Sequence, residues 1–170
     1  KPETKEDFVV GITAKNMKDN DQIALRSQVL VDASGFTAIV RKSLPAELGI
    51  DLTVNNDDVE ACYREIRQLH DPDSSPQFCE IYLDQKQTPG GYLWIFPEGE
   101  NRVNAGIGVA MNEGFPNPMK QFYNEILPTS SFRNSTVIKG GSWCVPTRRP
   151  LDCMTGNGVL VVGDSACQVN

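Results

Sequence analysis

The most regular pattern of apolar positions lies in residues 89–99, which read Pro-Gly-Gly-Tyr-Leu-Trp-Ile-Phe-Pro-Glu-Gly. Every second residue in the middle is aromatic (Tyr92, Trp94 and Phe96), and the residues between them are aliphatic. In an extended strand the rings would therefore share one face and the aliphatic groups the other. The pattern predicts either a central core strand of an antiparallel sheet or a strand whose aromatic face walls a pocket for a large flat or long apolar ligand.

Alternating apolar positions predict further strands on both sides of this segment, at residues 78–83 and 103–109. The second of these carries Gly106 and Gly108 on one face. Repeated glycines on one face indicate a close approach by a ligand or by another backbone, and packing against a helix would explain them equally well. Residues 59–69 fit a helical stripe by periodicity and can also be read as a strand.

A helix is predicted after these strands. Asn117 and Pro118 are the residue types of an N-cap and a first helical turn, and Pro128 ends the apolar run that follows. The run has helical spacing, so we expect this helix to lie on the sheet. Its apolar stripe consists of Phe115, Met119, Phe122 and Ile126.

The two ends of the chain share a construction. A predicted hairpin, residues 8–25, runs on into Val29–Val31, an apolar run typical of a strand buried on both faces, and stops at Asp32-Ala33-Ser34-Gly35. There Ser34 is a candidate N-cap of a short helix. A similar run at 159–162 stops at Gly163-Asp164-Ser165-Ala166. Open α/β sheets bind ligands at such strand ends, although an ordinary turn explains the first one as well. Two such ends in one chain favour a shared cofactor.

Composition narrows the classes of function. The net charge of −6 and the pI near 4.8 argue against a nucleic-acid surface, which needs Lys and Arg to meet phosphates. Five cysteines without a Cys-x-x-Cys pair, together with a single histidine, argue against a zinc site. No apolar run approaches the roughly 18 residues of a membrane span, and a chain that starts at Lys1 is expected to be part of a longer protein.

The aromatic segment carries a family resemblance. Pro89, Tyr92, Trp94, Phe96 and Pro97 fit the Pro-x-x-Tyr-x-Trp-x-Phe-Pro signature of the geranylgeranyl reductases, which are flavoproteins that saturate prenyl chains. The stretch 101–109 is similar to the archaeal branch, which acts on digeranylgeranyl glycerophospholipids. The resemblance favours a strand for residues 59–69 and implies a prenyl channel beside the aromatic segment. The candidate substrate-binding residues are Tyr92, Trp94, Phe96, Pro97, Gly106, Gly108 and Trp143.

The strand ends carry a second resemblance. Residues 163–166 are similar to the Gly-Asp-Ala-Ala-like motif of flavin-dependent hydroxylase-like proteins, whose Asp holds the ribose or pyrophosphate of FAD. Residues 32–35, with Arg41, resemble the Asp-x-x-Gly segment that precedes the substrate domain. The candidate cofactor-binding residues are Asp164, Gly163, Asp32, Gly35 and Arg41. The family's Gly-x-Gly-x-x-Gly motif is absent from these 170 residues, so we expect an incomplete FAD site and no activity from this chain alone.

The expected fold is α+β, a mostly antiparallel substrate-domain sheet with covering helices, flanked by pieces of an α/β FAD-binding domain. Residues 1–45 and 147–170 are assigned to the FAD-binding domain and residues 46–146 to the prenyl-binding domain. The resemblance implies FAD-dependent saturation of isolated double bonds in geranylgeranyl chains of membrane-lipid precursors. A flavin-dependent monooxygenase and a non-catalytic binding module are the alternatives.

Partners and location also follow from the resemblance. It implies a prenylated lipid substrate and an electron donor, either reduced nicotinamide or ferredoxin. The expected location is cytoplasmic, and peripheral contact with a membrane stays open. The sequence identifies no proton donor for the reaction.

Overall fold

Strands dominate the computed structural model, which describes residues 1–112 and 114–169. The strands are β1 (Pro2–Lys5), β2 (Phe8–Lys15), β3 (Gln22–Arg26), β4 (Leu30–Asp32), β5 (Val59–Leu69), β6 (Glu80–Tyr82), β7 (Leu93–Pro97), β8 (Arg102–Ala110), β9 (Ser135–Pro146), β10 (Thr155–Gly156) and β11 (Val159–Val161). Helix α1 (Pro118–Gln121) continues into a π-helix, Phe122–Ile126. Short 3₁₀ turns lie at Gly35–Thr37, Arg41–Ser43, Ala46–Leu48, Asn56–Asp58, Pro72–Ser74, Leu127–Thr129 and Gly163–Ala166.

The chain divides into two compact units. Unit one comprises Lys1–Asn55 and Pro146–Asn170, and unit two comprises Asn56–Val145. Unit one contains a sheet of order β1-β2-β3 and a second sheet of order β10-β11-β4, and the five-stranded sheet of order β6-β7-β8-β5-β9 lies in unit two. Every pairing described is antiparallel except that of β11 with β4, so the expected α+β fold with mostly antiparallel sheet is confirmed.

The hairpin predicted near the start of the chain is present as β2 and β3. Its second strand does not run on into the next apolar run, as the pattern suggested. The Ser27 N–H donates to Val10 O at 3.1 Å at the end of the hairpin, and the chain then leaves this sheet. Strand β4 pairs with β11 instead. The apolar pattern runs almost without a break from β3 into β4, although the two strands hydrogen-bond to different partners. The order of apolar and polar side chains does not show such a change of partner.

The predicted burial of β4 and β11 on both faces is wrong. Leu160 pairs with Val31, and their side chains are 38% and 52% exposed. Val159 and Val161 point the other way and are buried in the core of unit one. Because neighbouring strands place paired residues on the same face, this small sheet has one covered face and one open face within the described residues.

Unit two confirms the strand assignment of residues 59–69. Strand β5 pairs with β8 in an unbroken antiparallel register from Glu60 opposite Ala110 to Gln68 opposite Arg102. The backbone hydrogen bonds of this long ladder prevail over the helical spacing of the apolar residues. Strand β6 is shorter than the predicted 78–83, and Phe78 and Leu83 lie exposed at its ends.

The predicted helix covers one face of the unit-two sheet. Asn117 is its N-cap, and its Oδ1 accepts from the Lys120 N–H at 3.1 Å. Phe122 and Ile126 are buried in the sheet core, as expected. The other two stripe residues, Phe115 and Met119, are exposed. Phe115 lies before the N-cap and so is not part of the helix. The predicted stripe also assumed one α-helical period throughout, whereas the segment changes to a π-helix at Phe122, which changes the angular offset between Met119 and the residues that follow.

Candidate functional site

Strand β7 has one core face and one open face. Leu93 and Ile95 are 8% and 6% exposed and belong to the core that the helix covers. Tyr92, Trp94 and Phe96 lie on the opposite face and are only half-buried. The aliphatic residues therefore make the core, and the rings are free to contact something else.

Trp94 is held in place at the centre of this face. Its ring lies over Gly106, the residue directly opposite it on β8. The indole Nε1–H donates to Asn104 Oδ1 at 3.2 Å, and the Asn104 amide donates in turn to Glu98 at 3.3 Å. Tyr92 packs edge-on against Trp94, with ring centroids 5.9 Å apart. The indole thus has a defined orientation on a floor that lacks side chains.

We expect Gly106→Ala to disturb this arrangement and to destabilise unit two by about 1–3 kcal/mol, the usual cost of overpacking. A methyl group there would press on the Trp94 ring and lie 2.6 Å from the Tyr63 carbonyl oxygen, which backbone pairing keeps in place. Gly141→Ala is the matched control, because nothing lies within 4 Å of a methyl group at that position of β9. The melting temperatures of the two variants are compared by thermal unfolding. Equal melting temperatures for Gly106→Ala and Gly141→Ala would contradict the packing of Trp94 over Gly106.

A group of ionisable side chains lies further along the same face, over Gly108. A methyl group at Gly108 would be 2.6 Å from Glu60 Oε2 and 3.6 Å from Cys62 Sγ. Burial raises the pKa of Glu60. Burial, Glu60 and Cys144 together raise the pKa of Cys62 to about 12. Burial, followed by Glu60 and Cys62, also raises the pKa of Tyr92. The thiol and the phenol are therefore uncharged at neutral pH.

Sequence reasoning missed Glu60 and Cys62. They alternate on β5 with Cys62 directly opposite Gly108, so the strand register alone would have placed them beside the glycine floor. The helical periodicity of residues 59–69 concealed that register.

The remaining substrate candidates lie around this centre. Phe96 and Pro97 are half-buried at the end of β7, opposite Asn104 and Val103. Trp143 is exposed on β9, which is separated from β8 by β5. The structure thus brings Tyr92 and Trp94 together over the two glycines, whereas Trp143 lies nearer the edge of the sheet.

In unit one, the two predicted strand ends lie side by side. Parallel pairing sets Val161 opposite Asp32, and the Val162 N–H donates to Asp32 O at 3.0 Å. Both turns therefore leave the same edge of the sheet. The Asp164 side chain is half-buried and makes no hydrogen bond within the described residues, and Gly163 adopts a positive φ of 63° with open space around its Cα.

Asp32 holds its own loop in shape. Its carboxylate accepts from the Ser34 N–H at 3.0 Å and from the Arg41 N–H at 2.7 Å, and the residue is 1% exposed. Burial alone would raise its pKa, but the bonds from Ser34 and Arg41, with a smaller contribution from Ser165, leave it lowered. Ser34 occupies the predicted N-cap position, before the 3₁₀ turn Gly35–Thr37, but its side chain makes no capping hydrogen bond there. Its Oγ accepts instead from the more distant Ile39 N–H at 2.9 Å. Any contact of Asp32 with a ligand would be made through the loop that it stabilises.

Arg41 is buried beside this loop. One guanidinium nitrogen donates to Asp51 O at 2.7 Å, while Nε has no acceptor and no acidic side chain pairs with Arg41 in the described part of the chain. A buried cation without a counter-charge is costly. The Arg41 Nε–H donor and the Asp164 carboxylate both lack a hydrogen-bond partner within the described residues, so the two fit a polar ligand that accepts as well as donates hydrogen bonds.

The family model of the geranylgeranyl reductase catalytic domain matches residues 58–143, just over half of the chain. The chain belongs to the geranylgeranyl reductase family. The matched segment nearly coincides with unit two, and it contains the aromatic face, both glycines and the Glu60 group.

Two archaeal relatives are similar to this chain over nearly all of its length. The chain is 35% identical to the digeranylgeranylglycerophospholipid reductase of Sulfolobus acidocaldarius, over all of this chain and 38% of that protein. It is 29% identical to the protein of the same name from Methanosarcina acetivorans, over 96% of this chain and 39% of that one. The chain thus spans about two fifths of the length of these relatives.

Solved structures show the same fold. A geranylgeranyl bacteriochlorophyll reductase-like protein from Thermoplasma acidophilum superposes with a TM-score of 0.82 at 20% identity, over 98% of this chain and 41% of that one. A flavin-dependent brominase superposes with a TM-score of 0.61 at 16% identity, over 97% of this chain and 42% of its own. No helix in residues 1–112 and 114–169 is long and apolar enough to cross a membrane. Nor do the described side chains include a group of three or more metal-ligating residues.

Proposed function

We propose that the protein containing this chain saturates isolated double bonds in the geranylgeranyl chains of membrane-lipid precursors, with FAD as its cofactor. The observation that carries the proposal is the open aromatic face of β7 above Gly106 and Gly108. It lies within the segment that matches the family's catalytic domain, and relatives matched over 96–100% of this chain are named digeranylgeranylglycerophospholipid reductase.

The aromatic face is suited to a prenyl chain. An isolated alkene offers no charge to bind, so catalysis must rest on holding it in place and on excluding water. Tyr92 and Trp94 would supply flat apolar contacts, and the glycines would let the chain approach the sheet closely. Phe96, Pro97 and Trp143 would extend this surface. On this proposal unit two is the prenyl-binding domain.

Unit one would then be part of the FAD-binding domain. When bound, reduced FAD supplies a hydride, and reduced nicotinamide or ferredoxin would restore the reduced form. Asp164 would accept hydrogen bonds from ribose hydroxyls, and Gly163 and Gly35 would allow the backbone to approach the cofactor. Asp32 and Arg41 would keep the adjoining loop in shape. A cytoplasmic enzyme with peripheral contact to the membrane suits a lipid substrate of this kind.

The test is turnover by the full-length protein. It is incubated with a geranylgeranyl glycerophospholipid and dithionite, and the products are analysed by mass spectrometry. The proposal expects products heavier by successive pairs of hydrogens, formed only when FAD is bound. Unchanged lipid would overturn it, and oxygenated products formed with air and a reductant would favour a flavin monooxygenase.

We also expect the isolated 170-residue chain to purify without bound flavin. It has no Gly-x-Gly-x-x-Gly turn, whose backbone N–H groups and following helix N-terminus supply the main contacts to a pyrophosphate. The absorbance spectrum of the purified chain measures this directly. A stoichiometric flavin band would show that the turns after β4 and β11 bind the cofactor unaided.

A further inference from the structure

Glu60 lies on the face proposed to bind the prenyl chain. Its carboxylate lies over Gly108, and the Trp94 ring lies over Gly106 on the same strand. Residues two apart on a strand are separated by about 7 Å and point to the same side. The carboxyl group and the indole therefore share one surface of the sheet, over two glycines of the same strand.

No cation pairs with Glu60 in the described part of the chain, and neither of the two neighbouring donors, the Cys62 thiol and the Tyr92 hydroxyl, hydrogen-bonds to it. Its side chain makes no hydrogen bond or ion pair in the described part of the chain. Arg64 lies on the same face of β5, beside Gly106, but it is exposed and forms no ion pair with Glu60.

The groups that interact with Glu60 are Cys62 on the same strand and Tyr92 before β7, and Cys144 on β9 interacts with Cys62. All three can only be neutral or negative, and burial raises the pKa of Glu60 itself. A half-buried carboxyl in such surroundings favours its protonated form.

We propose that Glu60 is the proton donor for saturation of the prenyl double bond, acting from the glycine floor beside Trp94. This rests on the proposed function and supplies the acid that the sequence alone does not identify. Glu65, the buried carboxylate of the same strand, is unsuited to the role because Tyr63, Tyr123 and Arg67 hydrogen-bond to it and stabilise its charge.

Saturation of one carbon–carbon double bond adds a hydride, with its electron pair, to one carbon and a proton to the other. Bound reduced flavin would supply the hydride, and Glu60 would supply the proton. The O–H bond of Glu60 breaks as the new C–H bond forms, and the carboxylate that remains takes a proton from water before the next turnover.

The decisive variant is Glu60→Gln in the full-length protein, assayed with geranylgeranyl glycerophospholipid and dithionite. General acid catalysis contributes about 100- to 10,000-fold, so we expect kcat to fall at least about 100-fold while KM changes little. In the wild type, kcat should fall as pH rises through the pKa of Glu60, and this limb should be absent from the residual activity of the variant. Glu125→Gln, on the exposed side of the π-helix, is the matched control with unchanged kcat.

Thermal unfolding gives a readout independent of turnover. The pKa of Glu60 is raised above its ordinary 4.5, so its ionisation destabilises the folded state at higher pH and has no effect where both states are protonated. Glu60→Gln should therefore match the wild type near pH 4 and exceed its melting temperature above pH 7. Lipid binding, followed by tryptophan fluorescence, should be retained.

The outcomes are distinguishable. A wild type that leaves geranylgeranyl lipid unchanged overturns the proposed function and this inference with it. An active wild type with an equally active Glu60→Gln variant overturns only the role of Glu60. Should Glu60→Gln fail to fold, Glu60→Asp decides, because it keeps an acid one methylene further away. The inference then requires a reduced kcat that still falls with rising pH, and an unaltered kcat would overturn it.

Discussion

Replacing Trp94 with alanine in the full-length protein is expected to lower kcat/KM for geranylgeranyl reduction by about 10- to 100-fold, or roughly 1.4–2.8 kcal/mol of transition-state binding. The ring is half-buried on the open face of β7 and is held in position by Asn104 and Gly106. Its loss removes apolar contact area and orientation from a substrate that has little else to offer the protein. Turnover by mass spectrometry and FAD content by absorbance measure the effect.

Ile95→Ala is the matched control for Trp94. Ile95 is the next residue of the strand, yet it points into the core beneath the helix. Truncating it should cost about 2–5 kcal/mol of stability through the cavity left behind. For Trp94→Ala we expect only a modest fall in melting temperature. An unfolded Trp94→Ala protein, or a folded one with normal prenyl reduction, would count against a substrate role for the aromatic face.

Replacing Arg67 with alanine is expected to cost about 3–5 kcal/mol, the largest effect on stability, because it leaves a buried charge unpaired. Arg67 forms an ion pair with the buried Glu65, and its Nε–H donates to Ser135 Oγ at 2.7 Å. Tyr63 donates to the same carboxylate at 2.7 Å, and Tyr123 donates to it from the π-helix. The loss would be measured by denaturant unfolding.

The pH dependence of this loss tests its cause. Burial would raise the pKa of Glu65, but the bonds from Tyr123, Tyr63 and Arg67 outweigh burial and leave it below its ordinary 4.5. Because the pKa of Glu65 is lower in the folded state than in the unfolded state, its ionisation stabilises the fold above about pH 4.5. This stabilisation is lost as the pH falls through the pKa of Glu65 in the folded state. The difference between wild type and Arg67→Ala should therefore shrink in acid. Arg64→Ala, exposed on the same strand, is the control, and a difference that persists unchanged at low pH would contradict the charge argument.

Local patterns predicted the elements that depend on neighbouring residues. The alternation at 92–96 became β7, the alternation at 103–109 became β8, and the Asn117-Pro118 pair starts the helix. Each is set by side-chain periodicity or capping within a few residues, which a single sequence displays directly. The family was also predicted from local sequence, because its signature is a short run of residues in and around one strand.

Predictions from the apolar pattern were wrong or ambiguous where a segment's structure depends on another segment far away in the sequence. Residues 59–69 have helical spacing and form a strand because β8 lies beside them. Val31 and Leu160 belong to apolar runs and are exposed, because only one face of their small sheet is covered within the described residues. The strand at residues 59–69 depends on the segment that hydrogen-bonds to it, and the exposure of Val31 and Leu160 depends on whether another segment packs on that face. Neither can be read from the segment's own residues.

The candidate site likewise has features that are local in the sequence and features that depend on the tertiary structure. The sequence by itself determined that β7 would have an aromatic face and an aliphatic face, that β8 would have a glycine face, and which family these residues indicate. Only the tertiary structure decided that the aliphatic face is the core, and only the register of β5 against β8 placed Glu60 over Gly108. The physical reason is that side-chain direction along a strand is a local property, whereas burial and the pKa of a carboxyl group depend on groups brought close by folding.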